Sequence, residues 1–259
     1  MAMSGPVVIG VSGWHYADWQ HNFYAGLPRK DWLRFCAQRF TGIEIDATFY
    51  RWQDRRTFAR WREETPPDFR FAVKANRSLT HVRRLLDPEE PVRQERERAE
   101  GLSDQLAVVL WQLPASLPRN MSRLERFAQV LDGGSTTRHA VEFRHPSWFA
   151  ADVAACLQAH RLAVCESDAA DWPRWEAITT DWVYVRLHGR PRTYVSPYDA
   201  AALDARAGRI RDWLDERRQV RVYFDNSAAG AAPQDALRLM ARLGLLASPG
   251  FCPTDRGRV

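Results

Sequence analysis

Glu142 and Arg144 stand two residues apart in HAVEFRHPSWF (139–149), where they alternate with Val141 and Phe143. Successive side chains of a strand point to opposite faces, so the acid and the base share one face and the apolar pair shares the other. A carboxyl group shielded from water has a proton affinity open to tuning by desolvation and by neighbouring cations. This makes Glu142 the first candidate for a general acid or base. The guanidinium of Arg144 suits the paired oxygens of a carboxylate or phosphate.

The same alternation recurs in other runs. Ile43 and Ile45 alternate with Glu44, Asp46 and Thr48; Phe71, Val73 and Ala75 alternate with Ala72, Lys74 and Asn76. Leu110 and Gln112 oppose Val109, Trp111 and Leu113; Arg186 and His188 oppose Val185 and Leu187; Asp225 follows Phe224 on the opposite face. Asp46 and Asp225 are secondary catalytic carboxyls, and His188 is the best-placed imidazole. Lys74, Asn76, Gln112, Arg144 and Arg186 are candidates for substrate binding, with Trp14 and Tyr50 as stacking rings. Lys74 can act as an electrostatic clamp or, if its charge is suppressed, as a Schiff-base nucleophile. Arg77, His81, Arg83 and Arg84 after the third run, and Arg190 and Arg192 after the seventh, favour an anionic ligand.

No metal ligand set is assigned and no cofactor is expected. Glu44, Asp46, Glu142, Asp168, His188 and Asp225 make magnesium or manganese the secondary expectation, ahead of zinc because oxygen ligands dominate. The patterns GxSxG, HExxH, the P-loop and the EF-hand do not occur.

Eight elements must position these groups. Short runs rich in Val, Ile, Phe and Tyr lie at 7–14, 42–50, 69–77, 106–114, 139–149, 162–169, 181–189 and 220–228. Helical patterns separate them at 30–40, 55–64, 87–102, 122–131, 148–160, 199–218 and 233–244, while 171–178 gives a poor helix signal. Strand–helix alternation predicts an α/β fold with a parallel sheet, and eight strands without GxGxxG predict a closed (β/α)8 TIM-type barrel. One domain over 1–259 is expected, with a short C-terminal tail after about 245. The polar face of each strand then lines the lumen, and its charged members gather at the C-terminal rim.

Composition bounds the function class. The 259 residues carry a formal charge of +5, which permits an anionic ligand or nucleic acid without requiring either. No apolar run is long enough to cross a membrane and the N-terminus lacks a secretory signal pattern, so a cytoplasmic protein without a membrane partner is expected. Cys36, Cys156, Cys165 and Cys252 form no CxxC pair and read as reduced thiols.

The blocks GVSGWHYADWQHNFYAGLPRKDWLRFCAQRF, GIEIDATFYRW, FRFAVKANRSLTH, WQLP, VEFRHPSWF, VYVRLHG and VYFDNSAAG resemble the YecE-like family, also called domain of unknown function 72. The resemblance runs from about residue 8 to 244 and implies a TIM-type barrel; it implies no reaction. The family pattern after the second strand resembles EINSTFY, whereas this chain reads EIDATFY, so Asp46 replaces an amide and Ala47 a small hydroxyl. Asp168 matches the acid of the family's sixth strand.

These observations support a hydrolase or lyase acting on an anionic, phosphorylated or sugar-containing substrate, with Glu142 as general acid or base. The alternative is a nucleic-acid-binding module without catalysis, drawing on basic loops and stacking aromatics. A lumen filled by ion pairs with no chemistry competes with both, but buried pairs rarely add net stability.

Overall fold

In the computed structural model, which describes residues 6–133 and 136–246, the alternating runs become eight parallel strands. These are β1 (Val7–Val11), β2 (Gly42–Ile45), β3 (Arg70–Lys74), β4 (Leu106–Gln112), β5 (His139–Glu142), β6 (Ala163–Asp168), β7 (Trp182–Leu187) and β8 (Gln219–Phe224). Hydrogen bonding runs β1-β8-β7-β6-β5-β4-β3-β2. The two ends of that order meet at a seam, where Thr41 N donates to Ile9 O at 3.1 Å and Gly13 N to Glu44 O at 2.8 Å. Eight parallel strands thus form a nearly closed barrel of the (β/α)8 TIM type.

Helices α1 (Trp19–Asn22), α2 (Trp32–Ala37), α3 (Ala47–Tyr50), α4 (Arg55–Glu63), α5 (Glu89–Ala99), α6 (Met121–Asp132), α7 (Ala151–Ala159), α8 (Ala200–Asp215) and α9 (Ala231–Arg242) surround it. Several start on side-chain caps: Asp54, Asn120 and Asp199 accept the backbone N–H of Thr57, Arg123 and Ala202. The β6–β7 connection has no helix, matching the weak signal over 171–178. Strand two is shorter than its composition predicts. Thr48 Oγ1 bonds Ile45 O at 2.9 Å and Lys74 O at 2.7 Å, so the chain turns helical at Ala47 and Thr48 leaves the lumen face.

Outward residues such as Ile9, Ile43, Val73, Trp111, Val141 and Val185 pack beneath the helices. Inward residues divide by height. The floor of the lumen is mostly apolar, with Val8, Ala72, Leu110, Ala140, Cys165, Trp182 and Tyr184, although Arg221 of β8 is buried there with its guanidinium 5.5 Å from the Trp182 ring centroid. Acids and bases together occupy the level above, at the strand C-termini. The seam requires Gly10, since a Cβ there would lie 1.9 Å from Gly42 O. Gly10→Ala should therefore cost about 3 kcal/mol, the upper end for overpacking against backbone. A urea midpoint equal to that of the parent chain would contradict this account of the seam.

Cys36, Cys156 and Cys165 are free thiols. Cys252 and most of the expected tail lie outside the described residues. No helix among the described residues is long and apolar enough to cross a membrane.

Candidate functional site

Arg186, on the inward face of β7, sits at the centre of the charged level and is fully buried. Its Nε and Nη2 donate to Glu44 of β2, the shortest bond being 2.7 Å. Nη1 donates to Glu142 Oε2 at 2.8 Å and Nη2 to Asp225 Oδ2 at 2.9 Å. One guanidinium fork thus joins β2, β5 and β8 through β7. Glu44 also accepts from Ser12 Oγ at 2.5 Å and Tyr184 Oη at 2.6 Å.

Glu142 is fully buried and both its oxygens are engaged, since Oε1 accepts from Arg144 Nε at 2.8 Å and from Ser167 Oγ at 3.3 Å. Burial would raise its pKa, but the charges of Arg144 and Arg186 hold it well below the usual range. A carboxylate so held is a poor proton carrier near neutral pH. The general acid–base role expected for Glu142 therefore does not suit its surroundings, and it acts as the anchor of two arginines.

The mouth above this level is lined differently. Asp46 sits just past β2, with the Tyr16 hydroxyl 3.0 Å from Oδ2; burial, then the charge of Asp225, raises its pKa. Asp225 goes the other way, because Arg186 and the His188 contact overcome burial and lower it to about 2. His188 Nδ1 lies 3.0 Å from Asp225 Oδ2, yet burial and the Arg186 charge lower the imidazole's pKa. Lys74 ends β3 and is 8% exposed; burial and Arg186 lower its pKa. Among the described residues its Nζ has no hydrogen-bond or ion-pair partner, and the Phe49 ring centroid lies 4.2 Å away.

Two loops close over His188. Trp172 and Tyr194 pack against its ring at centroid distances of 5.0 and 5.5 Å. The Arg144 guanidinium lies 3.8 Å from the Trp172 ring centroid and donates through Nη1 to Tyr194 Oη at 3.2 Å. Its Nη2 is buried without a partner.

Glu142, Asp46, His188, Asp225, Lys74, Arg144 and Arg186 are thus brought to one end of the lumen. The others are held elsewhere or by other bonds. Asn76 Nδ2 donates to Thr48 O at 2.9 Å and Oδ1 accepts from Ser78 N, so its amide braces loops. Gln112 donates to Leu113 O. Trp14 is 3% exposed and meets Trp61 edge-on, 5.2 Å between centroids. Tyr50 is 72% exposed on the rim. Sequence reasoning left Ser12 and Trp172 without a role, and took Glu44 only as a metal-ligand candidate.

The oxygens suggested for magnesium or manganese on Glu44, Glu142 and Asp225 converge on the Arg186 guanidinium. Asp168 faces outward, bound to Arg190 Nε at 2.6 Å. Among the described residues no group of three His, Cys, Asp or Glu side chains is arranged to hold a metal ion.

A parallel eight-stranded barrel with its charged residues at the strand C-termini is the architecture of the TIM-type barrels, whose active sites lie at that end. The chain belongs to the family described as "Protein of unknown function DUF72", whose model matches residues 8–254. It is 29% identical to the UPF0759 protein YecE of Escherichia coli (strain K12) over 145 residues, 56% of this chain and 50% of YecE, so the match spans half of that relative. It is 23% identical to YunF of Bacillus subtilis (strain 168) over 273 residues, covering 92% and 95% of the two chains. The crystal structure of a DUF72 family protein from Thermotoga maritima superposes with a TM-score of 0.80 at 28% identity, covering 92% of this chain and 99% of that one.

Proposed function

We propose that the chain is an enzyme of the hydrolase or lyase class, taking a small anionic substrate at the C-terminal mouth of the barrel. The observation that carries this reading is the unequal pair of carboxyls beside two basic groups with free donors. Asp46 is shifted toward the neutral acid while Asp225 stays ionised, and carboxyls pushed apart in this way commonly divide acid and base roles. Lys74 Nζ and Arg144 Nη2 supply donors for a carboxylate or phosphate, and phosphorylated or sugar-containing compounds offer both the anion and a leaving oxygen. In this scheme Asp46 delivers a proton, Asp225 fixes His188, and Glu142 with Arg186 holds Arg144 and the strands in place.

Calorimetric titration with inorganic phosphate, pyruvate, sugar phosphates and nucleotides tests the reading. At least one should bind, and Arg144→Leu should weaken it by at least about tenfold, the loss of one charge-assisted hydrogen bond. Turnover found in a screen of the same compounds should disappear in Asp46→Asn. No binding across the panel, or unchanged affinity in Arg144→Leu, removes the proposal.

Nucleic-acid binding without catalysis draws on exposed Tyr50 with Arg51 and Arg83 at the rim. Binding to DNA or RNA that survives Arg144→Leu and falls steeply with salt would replace the first reading.

A further inference from the structure

We infer that Lys74 forms an imine with a carbonyl group of the substrate, which is therefore an anionic aldehyde or ketone such as a 2-oxo acid or a phosphorylated carbonyl compound. The inference rests on the reading above, using the same mouth and Arg144 as the anion site, and narrows it to the lyase side.

The chain contains 37 basic residues, and only Lys30 and Lys74 among them are lysines. Arginine supplies positive charge almost everywhere else, including the ion pairs of the lumen. Arginine cannot replace lysine in one respect: it holds its proton above pH 12 and offers no nucleophilic lone pair at neutral pH. Lys30 is exposed in the turn at Arg29–Asp31. Lys74 is buried, at the end of β3, where the carboxylates Glu44, Glu142 and Asp225 bind Arg186 rather than its Nζ. An unpaired amine beside an apolar ring is in the setting that activates lysine toward carbonyls. The Phe49 face also favours the cationic iminium that results.

Two proton carriers, Asp46 and His81, interact electrostatically with Lys74. His81 lies on the π-helical turn Ser78–Val82 and packs edge-on to the same Phe49 ring, 4.9 Å between centroids. Its Nδ1 is 2.9 Å from Thr80 Oγ1, and burial with the charges of Lys74 and Arg77 lowers it to about 4, so it is neutral at pH 7. The neutral amine adds to the carbonyl carbon, and the oxygen takes a proton from the Asp46 acid. His81 then accepts a proton from nitrogen and returns it to the hydroxyl. Water leaves as the nitrogen lone pair closes the C=N bond. In balance, amine, carbonyl and the Asp46 proton give iminium, water and the Asp46 carboxylate. The iminium draws electrons from a neighbouring C–C or C–H bond, which is the chemistry a lyase needs.

The test is borohydride trapping on the full chain with glyoxylate, pyruvate and pyridoxal 5′-phosphate, followed by peptide mass mapping. At least one probe should leave a stable adduct on Lys74 and label it more heavily than Lys30, since burial without an anionic partner favours the free amine at Lys74. Lys74→Arg keeps the charge and should lose the adduct; its thermal melt reports whether it is folded, and the wild-type result does not depend on it. No adduct on Lys74 from any probe, or equal labelling of Lys30, overturns the imine. If any anion of the calorimetric panel still binds to wild type in that case, the anionic-substrate reading stands; if none binds, both fall.

Discussion

Arg186→Met unfolds, or loses at least about 5 kcal/mol of stability, at neutral pH. Deleting one partner of a buried ion pair costs about 3–5 kcal/mol because the other charge is left uncompensated. Here a single deletion removes the guanidinium shared by Glu44, Glu142 and Asp225, at 0%, 0% and 12% side-chain exposure; Glu142 keeps Arg144, while Glu44 is left with no cation. Domains of ordinary stability have about 5–15 kcal/mol in total. Arg186→Lys recovers part of the loss, since a point charge reaches one or two of the carboxylates but cannot form the fork. Circular dichroism and urea melts read the outcome, and lowering the pH should partly rescue the methionine variant by protonating the stranded acids. A methionine variant with the parent midpoint would mean that the network carries little of the fold.

His139→Gln should flatten the acid limb of stability. His139 lies outside the lumen, buried under α5, where Trp111 Nε1 donates to its Nδ1 at 3.2 Å and Nε2 has no partner. Burial, then the charge of Arg96, lowers its pKa from 6.5 to about 3. The unfolded chain therefore takes up the proton first, so this stability is complete above pH 6.5 and is lost as the pH falls toward 3. The loss is about 2 kcal/mol by pH 5 and about 4 kcal/mol by pH 3. Glu95, which accepts Asn76 N at 2.9 Å, acts oppositely: burial raises it to about 7, so its contribution is full below pH 4.5 and lost as the pH rises through 7. Comparing variant with parent cancels Glu95. The change in unfolding free energy between pH 7 and pH 5 should differ by about 2 kcal/mol, and equal changes in both proteins would exclude His139 as the source.

Period-two alternation places Glu44, Lys74, Glu142, Arg186 and Asp225 on the lumen face from sequence, because side-chain direction is a local property of a strand. Partner choice is not local. Asp46 meets Tyr16 and Lys74 meets Phe49, since strand tilt and loop path decide which ends converge. Trp172 comes from a connection without periodicity, so nothing in its surroundings marks it as the ring beneath Arg144. The strand signal of ATFY fails where Thr48 bonds backbone carbonyls instead of continuing the ladder.

The Arg186 fork also has a meaning for how the chain is made. Its carboxylate partners lie 142, 44 and 39 residues away in sequence. Glu44 and Glu142 leave the ribosome before their cation does, and Asp225 only after it. A nascent chain ending before β7 therefore carries two lumen acids with no guanidinium between them, and contacts of such long range close late. The barrel is consequently a poor assembly of halves: its charged centre forms only when the last third of the chain returns to the first strands, so completion of the sheet and completion of the site are one event.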